Sequence, residues 1–244
     1  MITKADIKLI VSLQLKKQRQ KYGQFVVEGE KSIAELLTSP FEIDIIYGTA
    51  SWYAACTLNL KQQKFVEISE KELEAMSVHQ TPQGVLAVVN MLKWQLDETD
   101  FKDQFVIGLD DLQDPGNLGT IIRIADWYGI RTIICSKNCT DVFNSKCINS
   151  TMGSFTRVKV VYEDLLTISQ KFNHPIIAAT LNGQNIHNME VKPKGLILIG
   201  NEGHGISKEL MDAAKYEITI PRIGKAESLN AAVSAAIIID NLIR

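Results

Sequence analysis

Two polar side chains, Ser228 and Asn230, stand at the start of a long apolar run that reaches Ile239. The preceding short strand, Tyr216 to Ile220, stops at Pro221, which cannot extend a ladder. A helix starting after that turn presents free backbone N–H groups and the positive end of its dipole. Such a start can hold a polar or anionic group still; equally, it can be an ordinary helix end capped by Ser228. Farther upstream, Asn117 follows the turn-forming pair Pro115-Gly116 and stands where it could cap the next helix. Arg123 lies on that helix opposite the apolar stripe Leu118, Ile121, Ile122 and Ala125, with Thr120 and Trp127 one turn to either side. It can hold an anion or form a surface ion pair. A third segment, Gly200 to Gly205, follows an apolar strand, and its glycines allow either a tight turn or close approach to a bound group.

Other chemistries find no support. His79, His174, His187 and His204 have no spacing that suggests a metal site or a triad. Cys135 and Cys139 lack a second pair or nearby histidine to complete a zinc site, so all four cysteines read as reduced structural thiols and no metal is expected. The glycines at 200, 203 and 205 run in the reverse order to a dinucleotide fingerprint, and no Walker sequence exists. This argues against a nucleotide-dependent oxidoreductase.

The elements that must position these residues fall into two halves. Residues 4–22 read as one helix with a basic end (Lys16, Lys17, Arg19, Lys21), closed by Gly23. Short strands at Phe25–Val27, Ile43–Tyr47, Val66–Ile68 and Gly84–Val89 then alternate with helices, one of them a weak helix over 51–60. The polar stretch Met91–Asp103 reads as a linker with its boundary near residue 97. Beyond it, strands at Phe105–Leu109, Arg131–Cys135, Thr156–Val161, Ile176–Thr180 and Leu196–Gly200 alternate with helices, the pattern of a parallel sheet. The terminal helix is apolar almost all round, which suits deep core or a face covered by another subunit.

A chain of 244 residues can bury a substantial core, and no apolar run approaches the ~20 residues of a membrane span. The N-terminus lacks the basic and apolar segments of a signal peptide, so the cytoplasm is expected. A net charge of −2 disfavours a broad nonspecific nucleic-acid surface, and any RNA contact must be local.

The segments Asn117-Leu118-Gly119 with Arg123, Ile199-Gly200-Asn201-Glu202-Gly203-His204-Gly205, and Ser228-Leu229-Asn230 occur in that order across the C-terminal half. Together they resemble motifs 1, 2 and 3 of the SpoU (TrmH-like) branch of the SPOUT RNA methyltransferases. The resemblance implies an α/β fold over 98–244: a SPOUT domain with a parallel sheet and a deep trefoil knot. It also implies S-adenosylmethionine as donor, an RNA ribose 2′-hydroxyl as acceptor, and a homodimer whose RNA site is completed across the interface. Its implied roles are Arg123 at the 2′-hydroxyl, Asn117 orienting Arg123 or the ribose, Glu202 and Asn230 holding loops, and Ser228 capping. Thr180, Gly200, Asn201, Gly203, Ile220 and Leu229 would bind the donor.

Residues 1–97 contain Leu13, Lys16, Lys17, Arg19, Gly23, Phe25-Val26-Val27-Glu28-Gly29 and Thr81-Pro82. These are similar to the small L30e-like α/β domain that precedes such catalytic halves, which implies RNA contacts from Lys16, Lys17 and Arg19. The segment Ser145–Ser154 also resembles the family, although Asn149 stands where a basic residue is common. The front domain favours ribosomal RNA over transfer RNA. A noncatalytic RNA-binding or ribosome-assembly protein on a methyltransferase fold is the competing expectation.

Overall fold

The computed structural model describes residues 2–189 and 194–244. Its contacts divide the chain into two units, Met1–Lys93 with Asp141–Thr156, and Trp94–Thr140 with Arg157–Arg244.

The first unit begins with α1 (Lys4–Ser12), capped by a reciprocal Thr3–Asp6 box. Next come α2 (Lys16–Tyr22), β1 (Gln24–Glu28), α3 (Glu30–Leu36), β2 (Ile43–Thr49), α4 (Ala50–Ala55), β3 (Phe65–Ile68), α5 (Glu70–Met76) and β4 (Val85–Asn90). The sheet order is β1-β4-β2-β3, antiparallel except for the β2–β3 pair. Glu28 is nearly buried and ties the end of β1 to the turn after α5 by accepting from Ser77 Oγ (2.6 Å) and Val78 N (2.9 Å).

The single helix expected over 4–22 is two helices, broken at residues 13–15. Arg19 supplies the reason. Its Nη1 donates to the carbonyls of Leu13 (2.9 Å) and Gln14 (2.7 Å), which the break frees from helical bonding. Its Nε and Nη2 donate to Asp141 Oδ2 at 3.0 and 2.6 Å. Residues 141–156 therefore pack with the first unit, although sequence order suggested the second half. Phe143 and Phe155 complete an aromatic cluster around Phe25 and Phe41, with ring centroids 4.6 Å apart for Phe25–Phe143 and 5.5 Å for Phe41–Phe155. The weak helix expected over 51–60 stops at Ala55.

The second unit contains β5 (Val106–Leu109), α6 (Pro115–Trp127) and β6 (Thr132–Cys135). After α7 (Ser145–Thr151), which belongs to the first unit, come β7 (Lys159–Tyr162), α8 (Leu165–Lys171), β8 (Ile176–Asn185), β9 (Leu196–Ile199), α9 (Lys208–Asp212), β10 (Tyr216–Thr219) and α10 (Ala231–Ile243). The six strands form an all-parallel sheet in the order β10-β8-β9-β5-β6-β7. β5, β6 and β9 are buried at every position, as a parallel sheet covered on both faces requires. Part of the stretch read as linker belongs to this core: Phe101 is buried and stacks on Phe172 at 4.0 Å, and Asp100 accepts from Thr132 Oγ1 and pairs with Lys159 Nζ. No helix among the described residues is long and apolar enough to cross a membrane.

A buried guanidinium whose carboxylate and carbonyl partners remain costs several kcal/mol to remove. Arg19→Ala should lower the unfolding free energy in urea by about 3–5 kcal/mol. Lys16→Ala, on the exposed face of α2, should stay within about 0.5 kcal/mol. Equal, small losses for both would contradict a structural Arg19.

Candidate active site

Parallel sheets place their functional loops beyond the carboxyl ends of the strands. Three such loops carry the residues singled out above, and their side chains bond to one another. β5 runs into Asp110, which is buried and accepts from Ser207 N at 2.8 Å, tying this loop to the start of α9. Asp111 follows in the left-handed region (φ 55°), where Asp is tolerated better than most residues. Its N–H donates to Ser136 Oγ (2.9 Å), and its carbonyl accepts from Asn201 Nδ2 (2.8 Å).

α6 begins at Pro115, with Asp114 as its N-cap accepting from Asn117 N at 2.8 Å. Asn117 is therefore inside the first turn and does not cap the helix, contrary to expectation. The physical cause is the Asp-Pro pair, a good cap followed by a residue preset for the first helical position. Relieved of capping, the Asn117 amide is a bridge: Nδ2 donates to Glu202 Oε1 (2.7 Å), and Oδ1 accepts from Asn230 Nδ2 (2.9 Å). Asn230 in turn caps α10, its Oδ1 accepting from Ala232 N and Val233 N at 2.9 and 3.3 Å. Ser228 is exposed and does not cap; the helix starts later than expected because Asn230 takes that place. Glu202, Asn117 and Asn230 thus form one chain of side-chain hydrogen bonds across the three loops.

Arg123 emerges two turns into α6. Because Leu118, Gly119, Ile121, Ile122 and Ala125 are buried, it points to solvent, exposed and without a hydrogen bond or ion pair to any described residue. Trp127, one turn on, is 84% exposed.

The residues expected at a donor divide into two kinds. Asn201 and Gly203 are used in shaping their loop: Asn201 Oδ1 accepts from Gly203 N (2.7 Å) and His204 N (3.2 Å), while Asn201 and Gly205 bond backbone to backbone in both directions. The loop folds back so closely that a Cβ on Gly200 would lie 2.3 Å from the carbonyl carbon of Gly205. Gly205 itself sits at φ 72°, which favours glycine. Gly200 and Ile220 directly follow β9 and Thr219, the ends of two strands that flank β8. Thr180 lies on β8, and its Oγ1 is buried with no hydrogen-bond partner among the described residues. It falls where β8 leaves its ladder: Ala178 pairs with Glu217 and Gln184 with Ile218, so residues 179–183 are left out of the pairing with β10. Leu229 lies in the loop 221–230, exposed throughout.

Of the residues expected at RNA, Lys16 and Lys17 are exposed on α2, whereas Arg19 is 2% exposed with its guanidinium engaged internally. Arg19 is corrected to a structural residue. Sequence reasoning missed Asp110, Asp111, Asp114 and Ser136; only the Asp114-Pro115 cap signature was there to be found. It also missed that Cys139, a free thiol bonded to the Leu109 carbonyl and Leu112 N–H, is pulled down to about 7, first by its contact with Cys135.

The model of the SpoU rRNA methylase family matches residues 104–240, and that of the MRM3-like substrate binding domain matches residues 4–87. The chain is 31% identical to the 23S rRNA (guanosine(2553)-2′-O)-methyltransferase RlmP of Bacillus subtilis, covering 94% of this chain and 92% of that one. Among solved structures, a putative RNA methyltransferase of the TrmH family from Porphyromonas gingivalis superposes with a TM-score of 0.86 at 31% identity, covering 99% and 98% of the two chains. An AdoMet-bound rRNA methyltransferase from Sinorhizobium meliloti gives 0.85 at 27% identity, with 99% and 95% covered.

Asn230→Ala removes both the α10 cap and the bond to Asn117, and should cost about 1–2 kcal/mol in thermal unfolding. Ser228→Ala should stay within about 0.5 kcal/mol. The reverse order would contradict the assignment of the cap.

Proposed function

We propose, for a chain that belongs to the SpoU rRNA methylase family, transfer of a methyl group from S-adenosylmethionine to a ribose 2′-hydroxyl of ribosomal RNA. The observation that carries this reading is the Glu202–Asn117–Asn230 bridge, which fixes three loops together at the carboxyl ends of a parallel sheet. The relatives' printed activities, rRNA 2′-O-methylation and an AdoMet-bound rRNA methyltransferase, point the same way and favour ribosomal over transfer RNA.

The residues present fit the donor. Thr180 Oγ1 is a buried hydroxyl lacking a partner among the described residues, which a polar ligand atom would supply. Gly200 directly follows β9, and the close return of its own loop, which fills the place of a Cβ, holds the backbone there in a fixed shape. Gly200, Ile220 and Leu229 would hold the donor with Thr180, while Asn201 and Gly203 keep the loop in shape. The donor supplies an electrophilic methyl group, so the protein's task is to aim an oxygen at it and to manage the charge that develops there.

Arg123 suits the second task. A guanidinium offers five donors and no acceptor, which equips it to anchor a phosphate and steady a developing alkoxide, and not to take the proton, which leaves the 2′-hydroxyl for solvent water. Its freedom from internal partners leaves those donors available to RNA. Asn117 acts through position: held between Glu202 and Asn230, it fixes the turn from which α6 and Arg123 project. Holding oxygen and methyl in line supplies several kcal/mol of the barrier reduction, up to roughly 7–11 in the best cases. Lys16 and Lys17 of the first unit would contact RNA backbone.

The reading includes a homodimer and a trefoil knot. α10 buries Ala231, Ala232, Ala235, Ile238, Ile239 and Leu242 yet leaves Val233 48% exposed, and Trp127 and Leu229 are exposed as well. Exposed apolar side chains at these positions suit a second copy. The knot rests on the family resemblance; the path from edge strand β10 to α10, which packs on α6, is compatible with it. The reading places its action in the cytoplasm, with a ribosomal RNA substrate of the kind its relative methylates.

Arg123→Ala should cut methyl transfer to ribosomal RNA by roughly 100-fold or more. Its donor affinity by calorimetry and its unfolding midpoint should match the wild type. A wild-type protein that binds RNA but neither the donor nor a methyl product would instead favour a noncatalytic RNA-binding role. Val233→Glu should shift the protein toward monomer in sedimentation, and an unchanged dimer would place the interface elsewhere.

A further inference from the structure

The sequence of α2, Lys-Lys-Gln-Arg-Gln-Lys-Tyr, has no apolar stripe and is too short to hold a helix by itself. Arg19 holds it. By bonding the Leu13 and Gln14 carbonyls and Asp141, this buried side chain pins one face of α2 inward and forces the rest outward. The outward set is Leu15, Lys16, Lys17, Gln20, Lys21 and Tyr22, all exposed, with Tyr22 at 45% and Leu15 at 63%. The three lysines make no hydrogen bond or ion pair with a described residue, and the helix carries no acid. Lys21 Nζ lies over one face of the Tyr22 ring, 5.0 Å from its centre, so a base would stack on the opposite face.

A solvent-exposed aromatic ring among cations that have no carboxylate partner, on a fixed backbone, is the equipment for a single-stranded nucleic acid: the ring stacks on a base, and the cations take the flanking phosphates. We propose that this face of α2 is a binding site for an unpaired nucleotide of the substrate RNA, with Tyr22 as the stacking platform and Lys16, Lys17 and Lys21 on its phosphates. The inference rests on the ribosomal RNA reading for its source of RNA, and it adds a specific requirement, a base free to stack. A protein partner fits less well, because three uncompensated lysines on one short helix would have to be desolvated.

The test compares wild type, Tyr22→Ala and Tyr22→Phe in two measurements. One is fluorescence anisotropy with a fluorescein-labelled 12-residue oligouridine, alongside an RNA duplex of the same length. The other is methyl transfer to deproteinised ribosomal RNA from cells lacking the enzyme. Tyr22→Ala should weaken single-strand binding and raise KM for RNA by roughly ten-fold, leaving kcat and duplex binding unchanged, while Tyr22→Phe behaves as wild type. Lys21→Gln should reduce the salt dependence of single-strand binding by about one phosphate contact. Unchanged single-strand affinity in Tyr22→Ala, or equal loss on single strand and duplex, overturns the inference. Should the wild type transfer no methyl while single-strand binding still depends on Tyr22, the enzymatic reading falls and this site stands. Should transfer proceed and Tyr22→Ala match wild type in both measurements, the site falls and the enzymatic reading stands.

Discussion

The amide of Asn117 is the constraint on which the second unit's site depends. One side chain donates to Glu202 and accepts from Asn230, so the loops after β5 and β9 and the start of α10 hold a common geometry. Each bond alone is worth about 0.5–1.5 kcal/mol, more where the carboxylate is the acceptor. Their value lies less in stability than in coupling: moving any one loop breaks a bond to another. A second set of ties lies beneath it, from Asp110 to Ser207 and from the Asp111 carbonyl to Asn201. The loop after β5 is thus fastened to the β9 loop at two levels. That arrangement suits a reaction whose rate depends on aiming one oxygen at one carbon.

The first unit depends on a comparable device of different chemistry. Arg19 is a cation with almost no exposure, and it is satisfied because a break in the helix exposes carbonyls beside it and Asp141 supplies the countercharge. The lysines around it keep their charges in solvent. One basic segment is therefore split by burial into a structural residue and a displayed set, a division that composition alone does not reveal.

How much of this was legible in the sequence follows from the range of the interactions involved. Runs such as Leu196–Gly200 and Arg131–Cys135 read as strands because an apolar run is a local signal, and the parallel sheet followed from their alternation with helices. The three motifs were legible through their resemblance to the SpoU family. What bonds to what was not. The cap of α6 moved to Asp114 because the Asp-Pro pair outcompetes an asparagine inside the turn, and the cap of α10 moved to Asn230. Arg19 was misread because its partner Asp141 lies 122 residues away. For the same reason residues 141–156 were assigned by chain order, although Phe143 and Phe155 pack around Phe25 and Phe41.

The account turns on chemistry at a ribose oxygen. The most direct measurement is a mass-spectrometric map of 2′-O-methylated nucleotides in ribosomal RNA from cells with the gene, without it, and with Arg123→Ala in its place. A single ribose methyl mark present only with the wild-type gene, and absent in the other two, is the predicted result. Identical marks in all three cell lines would contradict it.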